Sequence, residues 1–309
     1  MVAKLKAAIH WRIIYYRQQR LKFYWKLKQL FDFSKKEKVE AISVVVVGRN
    51  DNYGGDFTER LRTTLDWNLS ILPNPELIYI EWNQVPDRPS DCDWIAAQYP
   101  NAKCYIVPKE IHDTITQNPK MPVMEYFGKN LGIRKATNNW VLIINSDILL
   151  DFKLGASIKK GLSKRFVYGT HYYNIIWDGK LITRKWIENK GIIKNHFTAN
   201  NKLDSVVGNF ILTHKKNWYN LTGYDETLNY VRAGVDTNGL KQFYYNGLKP
   251  MVLGNHYHLD HLESMINQSN ETNKMYKLNN IPYKNSDDWG FFNYNDKKIN
   301  SQIWQLEKI

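Results

Sequence analysis

A continuous apolar run that stops at a polar triplet constrains this chain more than any other feature. Residues 128–150 read GKNLGIRKATNNWVLIINSDILL. Trp140 to Ile144 is unbroken and apolar, with the length that a strand buried on both faces needs. Asn138 and Asn139 before it are turn formers. Asn145, Ser146 and Asp147 therefore sit where the chain leaves the carboxyl end of that strand, the place where open α/β sheets bind ligands. An acid there can hold a divalent metal through oxygen while Ile148 to Leu150 returns to the core.

The residues around it repeat the pattern. Ala41 to Val47 is β-branched and continuous, a central parallel strand, and residues 48–55 follow as a polar, glycine-rich loop. Phe57 to Leu72 has helical spacing and stops at Pro73. Leu77 to Ile80 and Cys104 to Val107 read as strands, Asp93 to Gln98 and Tyr126 to Ala136 as helices. Strands alternating with helices predict a mostly parallel, Rossmann-like sheet flanked by helices. Three strand ends, at Gly48, Glu81 and Asn145, then line one crevice. Beyond residue 155 the character is mixed. Phe166 to Tyr173, Gly208 to Thr213 and Pro250 to Leu253 read as strands, Trp218 to Gly223 and Val235 to Tyr245 as short helices. The stretch 264–284 is polar and reads as a loop. The expected organisation is a basic helical extension (1–38), a nucleotide-binding half (39–155), an acceptor half (156–265) and a tail packing on the body (266–309).

Charge is concentrated at the head. The net charge is +13, and residues 1–28 hold eight cations and no acid, so the other 281 residues share +5. Leu5, Ile9, Ile13, Tyr16, Phe23, Leu27 and Phe31 recur at near-helical spacing among these cations. Helical spacing leaves two readings open: a helix lying in an anionic membrane surface through residues 1–31, or a helix packed on the body with a solvated basic face. Nucleic acid ranks below both, because the body carries no matching basic stripe. No apolar run reaches the length of a bilayer span. Cys92 and Cys104 form neither a disulfide framework nor a zinc pattern, which favours a cytoplasmic setting, peripheral to a membrane on the first reading of the head.

Seven blocks in order carry a family resemblance: GRNDNYGGDFTERL (48–61), IEWNQVPDRP (80–89), KNLGIRKA (129–136), NSDIL (145–149), GNFIL (208–212), LTGYDE (221–226) and HYHLDH (256–261). Together they resemble GT-A-fold, family-2-like bacterial glycosyltransferases, over roughly residues 41–265. The resemblance implies a nucleotide-diphosphate sugar as donor, an acceptor hydroxyl, and a Mn²⁺ or Mg²⁺ ion; a glycan or lipid-linked acceptor is what a membrane-seeking head would suit. It implies nucleoside contacts from Gly48, Arg49, Asn50, Asp51, Glu81 and Asn83. Asn145, Ser146 and Asp147 stand at the family's Asp-x-Asp metal motif, with asparagine at the first position and one charge fewer.

The remaining candidates follow from chemistry. Asp147 is the first metal ligand, since a cation bridging phosphates offsets the charge that grows on a diphosphate leaving group. His258 and His261, in His-x-His-x-x-His, are the candidate partners; they share a face if the chain turns helical after Tyr257. A separate zinc site and structural histidines are the competing readings. Asp236, ahead of Asp225, is the candidate base for the acceptor hydroxyl. Lys129, Asn130 and Arg134 are candidates for the donor, and Arg49, Lys129 and Arg134 for its phosphates, although Lys129 and Arg134 do not share a helix face. Gly208 and Asn209 are candidates for the acceptor side. Two rival functions stay in view: a nucleotidyltransferase, and a carbohydrate or nucleic-acid binding module that has lost its chemistry.

Overall fold

The β-branched run at residue 42 becomes the middle of a ten-stranded sheet. The computed structural model describes Arg12, Tyr16 and residues 19–189, 208–231, 234–261 and 283–309. Strand β1 (Ile42–Gly48) pairs in parallel with β2 (Pro75–Trp82) on one side and β4 (Trp140–Ile144) on the other. Strand β3 (Lys103–Val107) and the late strand β10 (Ile303–Lys308) continue the parallel run, and β9 (Tyr294–Lys298) closes that edge antiparallel. On the other flank β7 (Phe210–His214) runs antiparallel to β4, and β6 (Phe166–Ile175) antiparallel to β7. There β8 (Lys249–Leu259) is parallel to β6, and the short edge strand β5 (Ile148–Leu150) is antiparallel to β8. The architecture is the α/β sheet that the alternation of strands and helices implies, parallel through the first half and mixed through the second.

Helices cover the sheet because their apolar stripes need a partner surface. They are α1 (19–30), α2 (Phe57–Ile71), α3 (Asp91–Gln98), α4 (Lys109–Ile115), α5 (Glu125–Lys135), α6 (Lys153–Lys159), α7 (Arg184–Asn189), α8 (Lys215–Leu221) and α9 (Val235–Tyr245). Val44 to Val47 and Leu142 to Ile144 are buried on both faces. Helix α5 lies close on β1 because Gly128 has no side chain: a Cβ there would stand 2.9 Å from Val47 Cγ1. That close fit brings Lys129 within reach of the end of β4.

Two segments depart from the sequence reading. The strand expected over Pro250 to Leu253 runs on to Leu259, because it pairs with β6 along its whole length and with β5 at its far end. The tail contributes two strands, β9 and β10, which extend the sheet beside β3. Of the stretch expected as a loop, 264–284, residues 264–282 lie outside the described residues, as do most residues before 19.

Candidate metal and donor site

The polar triplet after β4 forms a tight turn, closed by the Ile148 amide donating to Asn145 O at 3.3 Å. Helix α2 holds that turn and the edge strand after it. Thr64 Oγ1 donates to Ser146 O at 2.6 Å, Asn68 Nδ2 to Ile148 O at 2.7 Å, Trp67 Nε1 to Leu150 O at 2.8 Å, and the Leu150 amide to Asn68 Oδ1 at 2.9 Å. Asn68 thus supplies the ladder bonds that β5 lacks on its open edge. The Leu259 amide donates to Asp147 O at 3.0 Å, which ties the end of β8 to the same turn.

This arrangement brings Asp147, His258 and His261 together, with one ligand atom of each within 4.8 Å of the others. Asp147 Oδ2 lies 3.3 Å from His258 Nε2 and 3.3 Å from His261 Nε2. His258 stands opposite Ile148 in the β5–β8 ladder, next to Asp147. His261 arrives by a route other than the expected helical turn. The chain stays extended to Leu259, and the Asp260 amide then donates to Ile175 O at 2.9 Å, which folds His261 back beside His258. Tyr53 packs edge-on against the His261 ring, and Gly54 is close enough that a Cβ would meet His261 Nδ1 at 2.8 Å. The loop after β1 therefore forms one wall of the cluster.

The residues fit a divalent cation. His258 Nδ1 faces Asn174 Oδ1 at 3.0 Å, and that oxygen also accepts from the Tyr172 hydroxyl. An acceptor there places the imidazole proton on Nδ1 and leaves the Nε2 lone pair directed at Asp147. Lone pairs on a carboxylate oxygen and an imidazole nitrogen that face each other require a cation or a proton between them. Asp147 Oδ1 is buried and has no hydrogen-bond partner among the described residues. Burial alone would raise the Asp147 carboxyl; with a proton rather than a cation in that gap, the charged imidazoles outweigh burial and hold the group well below the usual carboxylate range. Two imidazoles and one carboxylate suit Mn²⁺ or Zn²⁺ better than Mg²⁺, which prefers oxygen ligands. His256 stays outside the cluster. It is fully buried, its Nδ1 lies 2.6 Å from Thr170 Oγ1, and burial pushes its pKa down to about 3.

The other residues of the triplet and its surroundings have distinct employments. Asn145 is not in the cluster: its Oδ1 accepts from Lys129 Nζ at 2.8 Å, while its amide donates to Asn209 O at 3.3 Å. Lys129 also pairs with Glu125 at 2.6 Å. Ser146 is half-buried in the turn. Asn209 is 7% exposed, and its Oδ1 has no partner among the described residues, so the β7 start offers an acceptor beside Asn145; Gly208 precedes it, also buried. Asp236 lies in the first turn of α9, where its charge helps raise the pKa values of Tyr126 and Tyr224, after the larger effect of their burial.

Several expected ligand contacts are engaged in holding the fold. Glu81 is fully buried and caps α3: it accepts from the Asp91 amide at 2.9 Å, the Cys92 amide at 3.0 Å and the Ser90 hydroxyl at 2.6 Å. Asn50 binds the 85–89 loop through Val85, Arg88 and Pro89. Arg49 donates to Asn83 O at 2.6 Å and pairs with Asp51 at 2.9 Å, and Asn83 Nδ2 donates to Pro122 O at 3.0 Å. Gly48 gives room to the Tyr79 hydroxyl and the Phe57 ring. Asn130 grips the 224–226 turn through Tyr224 and Glu226. Arg134, five residues after Lys129 on α5, donates to the carbonyls of Asp287 and Trp289 and stacks 4.3 Å from the Trp289 ring. Asp225 caps a short turn by accepting from the Thr227 amide and hydroxyl. Asn174 and Tyr172, which orient His258, were absent from the sequence reading; polar residues two apart in a strand otherwise buried were the available signal.

No protein-family model matches the chain, and no curated protein matches it. Solved structures resemble it at low identity. TarS 1–349 of S. aureus is 13% identical with a TM-score of 0.44, over 71% of this chain and 60% of that one. The mannosyltransferase PcManGT of Pyrobaculum calidifontis, in complex with GDP-Man and Mn²⁺, is 13% identical with a TM-score of 0.47, over 79% of this chain and 65% of that one. A variant of Drosophila β1,4-galactosyltransferase 7, in complex with manganese, UDP-Gal and xylobiose, is 11% identical with a TM-score of 0.46, over 88% and 95%. The chain spans less than two thirds of the length of the first two. A likeness of this size assigns no role to a residue, so the functional reading rests on the site.

Proposed function

We propose that this protein is a glycosyltransferase that moves a sugar from a nucleotide-diphosphate donor to an acceptor hydroxyl on a glycan or lipid-linked glycan. The observation that carries the reading is the Asp147–His258–His261 cluster at the carboxyl end of β4, inside the block order that resembles such enzymes. Those three residues would hold a divalent metal, and Mn²⁺ suits their donor atoms. When bound, such an ion offsets the negative charge that develops on a departing diphosphate.

The chain's own residues supply the rest. Asn174 fixes the His258 tautomer, and α2 fixes the turn that carries Asp147. Asn209 Oδ1, buried and without a partner among the described residues, accepts a hydrogen bond from a sugar hydroxyl. Asp236 takes the proton of the acceptor hydroxyl as its oxygen bonds to the anomeric carbon and the bond to the diphosphate breaks. The test is nucleoside-diphosphate release from UDP-, GDP- and dTDP-sugars with Mn²⁺. Release from one donor class, lost in Asp147→Ala and Asp236→Ala, supports the reading. No release from any donor overturns it.

A further inference from the structure

We propose that α1 docks this protein on an anionic lipid surface through the face that it turns away from the body. The inner face is already occupied. Trp25 is 2% exposed, Lys28 Nζ donates to Pro250 O at 3.1 Å, and Gln29 donates to Val252 O, so the end of α1 is fixed on the start of β8. Lys22 Nζ lies 5.2 Å from the Tyr173 ring centroid. Tyr173 pairs in register with Tyr257, the residue before His258. Alternate residues of a strand point to opposite faces. The early part of α1 therefore lies at the same end of the sheet as the metal cluster, on the opposite face.

The outer face alternates cations with large apolar groups. Arg20, Phe23, Lys26 and Leu30 are all exposed, and spacings of three and four residues put them on one stripe of the helix. Phe23 and Leu30 are 62% and 67% exposed; Phe31 and Phe33 at the helix end reach 70% and 91%. Aromatic rings between cations fit the headgroup boundary of a bilayer, with the rings among the headgroups and the cations on anionic lipid. Residues 1–28 hold no acid to offset those cations. A second copy of the chain carries the same charge and is repelled. Nucleic acid engages the cations but leaves Phe23 and Leu30 in water. No described helix is long and apolar enough to cross a membrane, so the contact is with the surface.

The test is co-sedimentation of the full chain with vesicles of phosphatidylcholine alone and of phosphatidylcholine with about a third phosphatidylglycerol, at roughly 0.15 M salt. The expected result is binding at least about tenfold tighter to the anionic vesicles, with a loss of about tenfold in Phe23→Ser/Leu30→Ser. Phe31→Ser/Phe33→Ser, beyond the helix, gives a loss in the same direction if the first variant fails to fold. Equal binding to both vesicle types, or unchanged binding in folded variants of both pairs, overturns the proposal. So does duplex DNA that binds as tightly as anionic vesicles and is indifferent to both variants. Vesicle binding is read without donor turnover, so its failure is separable from failure of the transfer reading.

Discussion

Lys129 Nζ donates to Asn145 Oδ1 at 2.8 Å, so the position where an acid would stand in an Asp-x-Asp motif is engaged by a lysine from α5. The ammonium is 1% exposed, pairs with Glu125, and lies 5.6 and 5.9 Å from the rings of Tyr126 and Tyr224. An amide suits this place because it accepts from the lysine without adding a second charge to the one that Glu125 already neutralises.

That contact decides what restoring the acid would do. In Asn145→Asp the new carboxylate pairs with Lys129, so Mn²⁺ affinity should change by no more than about threefold. Titration calorimetry checks this. A gain of tenfold or more would mean that residue 145 faces the ion rather than the lysine.

Glu81 acts on the fold. Removing its carboxylate in Glu81→Ala strands the Asp91 and Cys92 amides and the Ser90 hydroxyl, at a cost of about 2–4 kcal/mol. Urea denaturation measures the loss. Nucleotide affinity of the folded variant should stay near that of the parent; a large drop in affinity with no loss of stability would place Glu81 on the nucleoside instead.

Asp91 gives stability a pH dependence. It is 2% exposed, and burial pushes its carboxyl up to about 6 despite hydrogen bonds from Trp94 and Tyr79. The native state therefore holds this proton more tightly than the unfolded chain, whose aspartate titrates near 3.9. Its contribution is fully present below about pH 4 and is lost as pH rises through about 6. Asp91→Asn keeps an acceptor for Trp94 and removes the charge. Relative to the parent it should gain about 2 kcal/mol between pH 4.5 and pH 7.5. Denaturation at the two pH values reads the difference, and a constant gap would contradict the assignment.

Asp236 and Asp225 should separate cleanly. Asp236→Asn should lower kcat by roughly 10²–10⁴ with KM within about threefold, as loss of a general base does. Asp225→Asn weakens a cap on Thr227 and should cost about 1 kcal/mol of stability with little change in kcat. Steady-state kinetics on the donor identified by product release, with thermal melts, distinguishes the two. The reverse pattern would make Asp225 the base.

What could be read from the sequence was what local pattern encodes. Trp140 to Ile144 is a buried strand because five consecutive apolar residues leave no solvent face, and in the helix Val235 to Tyr245 the buried Leu240 and Phe243 stand three apart. Asp147, His258 and His261 were legible as candidates, since an acid at a strand end and two histidines in one short block are residue types that can hold a metal. The route of His261 was not, because it depends on the Asp260 amide reaching Ile175, 85 residues away. The same limit hid the employment of Arg134, whose partners Asp287 and Trp289 lie 153 and 155 residues away. A polar side chain announces that it needs a partner; only the fold says which. Strand β9 shows the limit for edges: four of its five residues are exposed, so no apolar alternation marks it.

The most direct test of the account is a calorimetric titration of UDP, GDP and dTDP into the protein with and without Mn²⁺, repeated with Asp147→Asn. One of these nucleotides should bind at least about tenfold tighter with Mn²⁺, and the gain should disappear in the variant. Binding that ignores Mn²⁺, or a Mn²⁺-dependent gain that survives in Asp147→Asn, would contradict it.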